Sequence, residues 1–349
     1  MRPSGGVRVR WLWALLATVL VGAPVARAET PHIKIRVATI APDGTAWARE
    51  LHAFGRDVEQ STGGMVSMKY YFGAIAGDEL AALDRVKKGQ LDGIAGAIFC
   101  PRIAPSLWVA RLVGLFRNRD EARQVLNRLR PLVDKELEQS GFVSFGLGSF
   151  GNEIFFSRTP VHSMADLRKG RYWTWNLDDF WVKELPAMGI GTVPLSVEEA
   201  AQAYDDGRID GFLAVPTAAL AFQWSVRAHH FTNLSAAFMP GCLAVARRVF
   251  DAIPADQQRA ILAAAAKFAV RFDTVSGPQE DALFGGLFEH QGLKRAPGSE
   301  SFAGDFSAAA QSARETIGEK LVSKELLAQV TAWLVEIRAA QPKHPTPTH

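Results

Sequence analysis

Gly89-Gln90-Leu91-Asp92-Gly93 is repeated as Gly207-Arg208-Ile209-Asp210-Gly211, and each copy closes a run with the period of a helix. In the first run Leu80, Leu83 and Val86 recur at helical spacing, Asp78 is placed to cap the start, Lys87 and Lys88 fall in the last turn, and Gly89 is the stop. The second opens with Ser196 and Glu199 at capping-box spacing, continues through Ala200, Ala203 and Tyr204, and stops at Gly207. After each stop a short apolar step reaches Asp-Gly, which predicts a buried strand that ends in a turn. Two such units predict an α/β chain of two lobes built alike. Open α/β sheets bind ligands beyond the carboxyl ends of their strands, so two facing lobes would form a cleft. Connections of this kind occur in any α/β protein, and the repeat by itself names no ligand.

The start of the chain predicts export. Arg2, Arg8 and Arg10 precede an apolar run over 11–21, and Ala26-Arg27-Ala28 has the small-x-small form of a cleavage site. Residues 1–28 are therefore expected to be a signal peptide, with a mature periplasmic protein starting near Glu29. The chain carries 39 basic and 36 acidic side chains, and four of the arginines lie in this leader, which leaves 35 basic residues. A nearly neutral mature chain gives no reason to expect a nucleic-acid partner or an anionic membrane surface. Cys100 and Cys242 could pair in an oxidising compartment, but their separation decides nothing; two buried thiols are the expectation, and pairing stays open. Neither a metal-ligand cluster nor a cofactor motif is present, so no metal and no cofactor are expected.

Read in order, residues 33–39 alternate as a strand, Ala41-Pro42-Asp43-Gly44-Thr45 breaks it, and Trp47, Leu51, Phe54 and Val58 mark a helix before a second strand at 66–71. Strands are expected at 142–148 and 154–157, on either side of a glycine-rich step taken as the first crossing between lobes. Ser149 sits in that step but has Leu147 two residues before it, so a nucleophile elbow is not encoded. In Arg171-Tyr172-Trp173-Thr174-Trp175 the period of two puts both tryptophans on one strand face. Residues 238–245 form a returning strand, Pro254 opens a long alanine-rich helix, and 321–338 forms a closing helix. Residues 341–349 are expected to be a disordered tail.

Several marks, taken in order, carry a resemblance: Thr62-Gly63-Gly64, Gly77-Asp78-Glu79, the two Gly-x-apolar-Asp-Gly units, Ser163 to Gly170 before a strand, Pro194-Leu195, and Pro254 before a helix. From about residue 35 to residue 265 the chain resembles the solute-binding proteins of tripartite ATP-independent periplasmic (TRAP) transporters, in the dicarboxylate-receptor family. The resemblance implies a two-lobe α/β solute-binding fold with crossing hinge strands and a long helix spanning the lobes. Residues 29–148 with 240–278 would form one lobe and 149–239 with 279–340 the other. It also implies a receptor that delivers a small organic solute to a TRAP-type membrane permease.

Aligned on Asp166-Leu167, Trp173 stands where most of that family has the arginine that grips a substrate carboxylate. An indole offers one neutral donor and a ring face in place of two charge-assisted hydrogen bonds. Trp173, Trp175 and Trp224 therefore suggest an aromatic platform for an apolar, aromatic or cationic solute, while Arg158 and Arg171 are the nearby cations that could restore a carboxylate clamp. Matched positions add Pro42, Asp43, Glu79, Phe99, Ala214 and Pro216, with Trp47 from the first helix; Asp92 and Asp210 are expected to hold their turns. Two other functions remain open. One is a soluble sensor for a membrane partner outside transport. The other is a hydrolase using Cys100 or Ser149 with His52, His229 or His230.

Overall fold

The computed structural model describes residues 32–317 and 322–340; the expected signal peptide and tail lie outside them. The first lobe contains β1 (Ile33–Ala38), α1 (Ala46–Ser61), β2 (Val66–Tyr71), α2 (Glu79–Lys87), β3 (Gly93–Gly96) and α3 (Cys100–Ile103). A 3-10 turn over Pro105–Arg111 leads to α4 (Arg119–Gln139) and the crossing strand β4 (Phe142–Ser157). The second lobe follows with α5 (Met164–Leu167), β5 (Arg171–Trp175), α6 (Asp179–Ala187), β6 (Gly191–Leu195), α7 (Val197–Asp205), β7 (Gly211–Ala214), α8 (Pro216–Ala221) and β8 (His230–Thr232). Strand β9 (Ala237–Ala246) returns to the first lobe, followed by α9 (Arg247–Phe250) and the long α10 (Ala255–Ala282). The chain then passes through α11 (Phe288–His290), β10 (Lys294–Ala296), α12 (Phe302–Ile317) and α13 (Lys324–Ala340).

The main strand order is β2-β1-β3-β9-β4-β7-β5-β6. Strand β4 joins the two halves. It runs antiparallel to β9 from Phe142 opposite Ala246 to Glu153 opposite Ala237, then pairs with β7 from Ile154 opposite Ala214. The two strands expected at 142–148 and 154–157 are thus one. Register shifts between Ser144 and Gly146 and between Ser149 and Gly151 let it pass through the glycine-rich step without breaking. The glycines also admit α10: a Cβ on Gly146 or Gly148 would lie 3.0 Å from a ring carbon of Phe268 or Phe272. Helix α10 packs against α1, β4 and α8, and so touches both lobes, and Arg271 ties it to Glu50 (3.1 Å) and Asp57 (2.8 Å) of α1.

The repeated pentapeptide has the same structure in both lobes, although the strand starts at its second glycine and does not end there. Gly89 and Gly207 adopt φ of 77° and 72°, the left-handed conformation that closes a helix at little steric cost to glycine. Leu91 and Ile209 tuck under the turn, each with its N–H bonded back to the preceding helix, at the Arg85 and Ala203 carbonyls. Asp92 accepts from the Arg36 backbone N–H and guanidinium, and that guanidinium also reaches the Gly89 carbonyl. Asp210 accepts in the same way from the Arg171 backbone N–H and guanidinium, and that guanidinium also reaches the Gly207 carbonyl. The two aspartates hold turns.

Two expectations need correction. Cys100 and Cys242 are joined in a disulfide, with Cα atoms 6.0 Å apart. Pairing of β3 with β9 puts Cys242 opposite Gly96, and the start of α3 brings Cys100 back over that position. The closing helix does not belong with the second lobe. Val330, Leu334 and Ile337 of α13 join the core cluster that contains Leu126 and Leu129 of α4, and Arg338 pairs with the buried Glu121 at 2.8 Å.

Candidate functional site

A cleft of about 720 Å3, counted with the solvent at its mouth, lies where the strands of both lobes end. Thr39, Ile40 and Ala41 follow β1, Gly96 ends β3 with Ala97 just beyond it, and Trp47 enters from α1. From the other side come Trp173, Thr174 and Trp175 of β5, Leu213 and Ala214 of β7, Val215 just beyond β7, and Ala218, Phe222 and Trp224 around α8. Phe150, Glu153 and Met239 of the crossing strands line it as well, with Asp178 and Trp181 at the start of α6. A second, apolar space of about 420 Å3, counted with adjoining solvent, borders it, sharing Thr39, Ala41, Trp47, Gly96 and Phe150.

Trp173 is 4% exposed and donates its indole N–H to the Leu195 carbonyl at 3.1 Å and the Ser196 carbonyl at 3.3 Å. With that donor committed, what it offers a ligand is ring surface. Its ring lies 4.6 Å from that of Trp224, which stacks in turn on Phe212 and Phe222. Across the cavity Trp47 meets Phe150 edge to face at 4.9 Å.

The charged groups in the lining are all carboxyls. Glu79 is buried under the turn from β3 to α3, where it accepts from the N–H groups of Ala97 (3.0 Å), Ile98 (2.7 Å) and Phe99 (2.9 Å). Glu153 and Asp178 flank the buried Arg111 from the end of the 3-10 turn, with 2.6 Å between Arg111 and Glu153 and a short contact between Arg111 and Asp178. Asp178 also caps α6 through the N–H groups of Phe180 and Trp181. Arg111 itself does not line the cavity, and among the described lining residues there is no Arg, Lys or His.

Burial pushes the Glu79 carboxyl up from 4.5 to about 7, and its three N–H bonds offset only part of that. Burial likewise raises Glu153 to about 7 and raises Asp178, both against the pull of Arg111. Glu184 of α6, with Arg314 beside it, and Glu280 of α10, with Arg119 nearby, are raised to about 7 for the same first reason. A carboxyl raised on folding holds its proton better in the folded chain. Its contribution to stability is complete below about pH 4.5 and is lost as the pH rises through about 7. The urea midpoint of the ligand-free protein is therefore expected to fall between about pH 5 and about pH 8, with His230, pushed down by burial, opposing it within that window. A midpoint that stayed flat or rose would show these carboxyls to be ionised at ordinary values.

Of the residues expected at the site, Trp47, Glu79, Trp173, Trp175, Ala214 and Trp224 line the cavity. The others stand outside its lining. Asp43 is exposed and pairs with His52 at 3.1 Å, and Pro42 lies in the same loop. Phe99 is fully buried in the first-lobe core, and Pro216 is buried at the first turn of α8. Arg171 is held on Asp210, and Arg158 lies over the Tyr204 ring at 4.0 Å, donating to the Tyr204 carbonyl. Neither arginine is among the residues that line the cavity. Sequence reasoning missed Phe150, Glu153, Asp178 and Trp181, and Arg111 behind them. A lone acid in the apolar run Ile154-Phe155-Phe156 preceded by Glu153 was the one available signal.

The family model described as DctP, bacterial extracellular solute-binding protein, family 7, matches residues 37–315. The chain belongs to this family. A solute-binding protein of Chromohalobacter salexigens is 25% identical over 229 residues, covering 64% of this chain and 66% of that relative. Among solved structures, a TRAP periplasmic solute-binding protein from Desulfovibrio desulfuricans with bound sn-glycerol-3-phosphate aligns at TM-score 0.81 and 18% identity, over 90% of this chain and 100% of that one. One from Xanthobacter autotrophicus Py2 with bound β-D-galacturonate aligns at 0.76 and 21% identity, over 88% and 100%. Such likenesses establish the two-lobe fold. The family consists of receptors and not enzymes, and the hydrolase reading also loses its thiol, since Cys100 is in the disulfide. No helix among the described residues is long and apolar enough to cross a membrane.

Proposed function

We propose that this family 7 protein captures a small organic solute in the cavity between its lobes and delivers it to a TRAP-type permease in the membrane. The observation that carries this reading is the cavity itself, closed from both sides by the carboxyl ends of strands from two similarly built lobes and walled by α1 and α8. Strands β4 and β9 are the hinge in this reading, with the handover at Glu153 and Ile154 as its pivot, and α10 as a strut across both lobes. Export through a signal peptide over 1–28 belongs to the same proposal.

The test is a pair of measurements on protein purified from a periplasmic extract. Native mass spectrometry should find a small molecule that leaves on unfolding, and small-angle scattering should give a larger radius once it has been removed. Solubilised membranes passed over the ligand-loaded protein should yield a multi-span permease. Recovery of a signalling receptor instead would move the protein to the sensor class, and absence of any carried or added ligand that changes the radius would end the receptor reading.

A further inference from the structure

We propose that the solute is a small organic cation, an ammonium compound with an apolar or aromatic body and one hydrogen-bonding group, and this rests on the receptor reading above. The first observation is the charge of the lining. Glu79, Glu153 and Asp178 are the ionisable acids among the residues that line one cavity, and no cationic side chain among the described residues lines it. Arg111, behind the wall, faces both Glu153 and Asp178, so among these three described side chains the carboxyls outnumber the guanidinium by one. An anionic solute would find only carboxyls in the wall and no cation to pair with, while an ammonium would supply a counter-charge that favours the ionised form of these carboxyls.

The second observation is independent of charge. Five of the nine tryptophans in the sequence, Trp47, Trp173, Trp175, Trp181 and Trp224, line this cavity. Ring faces attract ammonium groups, most strongly where water is excluded, and Trp173 has its N–H committed elsewhere. The third observation fixes the polar end. The Trp47 indole nitrogen and the Thr174 hydroxyl are buried in the lining with no hydrogen-bond partner among the described residues. A ligand hydroxyl or carbonyl could accept from either.

The experiment is calorimetric titration of the purified protein, freed of carried ligand, with two panels. One holds choline, benzyltrimethylammonium and 2-phenylethylamine, each beside a neutral isostere such as 3,3-dimethylbutan-1-ol or 2-phenylethanol. The other holds galacturonate, gulonate and glycerol 3-phosphate. Saturable binding by at least one ammonium compound is expected, with its neutral isostere weaker by roughly 100-fold. Glu79→Gln and Glu153→Gln are each expected to weaken the ammonium compound at least tenfold and its isostere little, with circular dichroism checking that both variants fold. Silence from all the ammonium compounds, or an isostere that binds equally well, overturns the inference. If the anions bind in that case the receptor reading survives without it; if they too are silent, both fall.

Discussion

Replacing Arg111 by methionine is expected to lower the stability of the ligand-free protein by about 3–5 kcal/mol, the range for breaking a buried ion pair by removing one partner. Arg111 is 1% exposed and holds Glu153 of the crossing strand and Asp178 at the cap of α6, so it ties the first lobe to the second. Without it, two carboxyls remain in a low-dielectric interior with no counter-charge, and both must keep their protons to stay there. The loss should consequently be smaller at about pH 5 than at about pH 8, because protonation removes the uncompensated charge. Chemical denaturation at the two pH values checks this. A loss under about 1 kcal/mol, or the same loss at both pH values, would mean that Glu153 and Asp178 are neutral already and that Arg111 only fills space. A triple variant, Arg111→Met with Glu153→Gln and Asp178→Asn, should recover much of the stability, since a buried charge network can be replaced by neutral groups at little net loss.

How much of this site is legible in the sequence depends on whether its parts are neighbours along the chain. The two glycine-bounded pentapeptides could be matched because each turn is built from adjacent residues. Their strand was misplaced because the second glycine is required by something distant. A Cβ at Gly93 would lie 2.8 Å from the Ala244 carbonyl oxygen, and Gly211 approaches the Phe156 carbonyl in the same manner. Trp173 and Trp175 were paired correctly by the period of a strand. Arg111, Glu153 and Asp178 were invisible as a cluster, being joined only when the 3-10 turn, β4 and α6 come together. The disulfide was undecidable for the same reason, since it follows from the pairing of β3 with β9 across 142 residues. Arg171, a reasonable clamp by proximity, was in fact the partner of Asp210, and the equivalent Arg36 and Asp92 contacts in the first lobe reveal the rule.

Trp173→Ala is expected to weaken the best-bound ammonium compound by at least 100-fold and to lower stability by about 3–5 kcal/mol, the range for truncating a large buried aromatic. The two effects have different origins. Stability falls because the ring fills the space beside Trp224 and its N–H secures the Leu195 and Ser196 carbonyls where β6 meets α7. Affinity falls because a ring face is lost from the cavity and the neighbouring rings lose a support. Trp173→Phe separates them: it keeps a ring but leaves the two carbonyls without their indole donor. If the ring face holds the solute, the phenylalanine variant should recover most of the affinity while remaining less stable than the parent, measured by titration and by urea denaturation on the same preparation. Equal loss of affinity in both variants would assign Trp173 to positioning the start of α7, and an alanine variant with unchanged affinity would rule out the aromatic platform altogether. The sign of charge on the solute is tested separately, by Glu79→Gln and Glu153→Gln, so this pair of variants reads the contribution of the ring without depending on it.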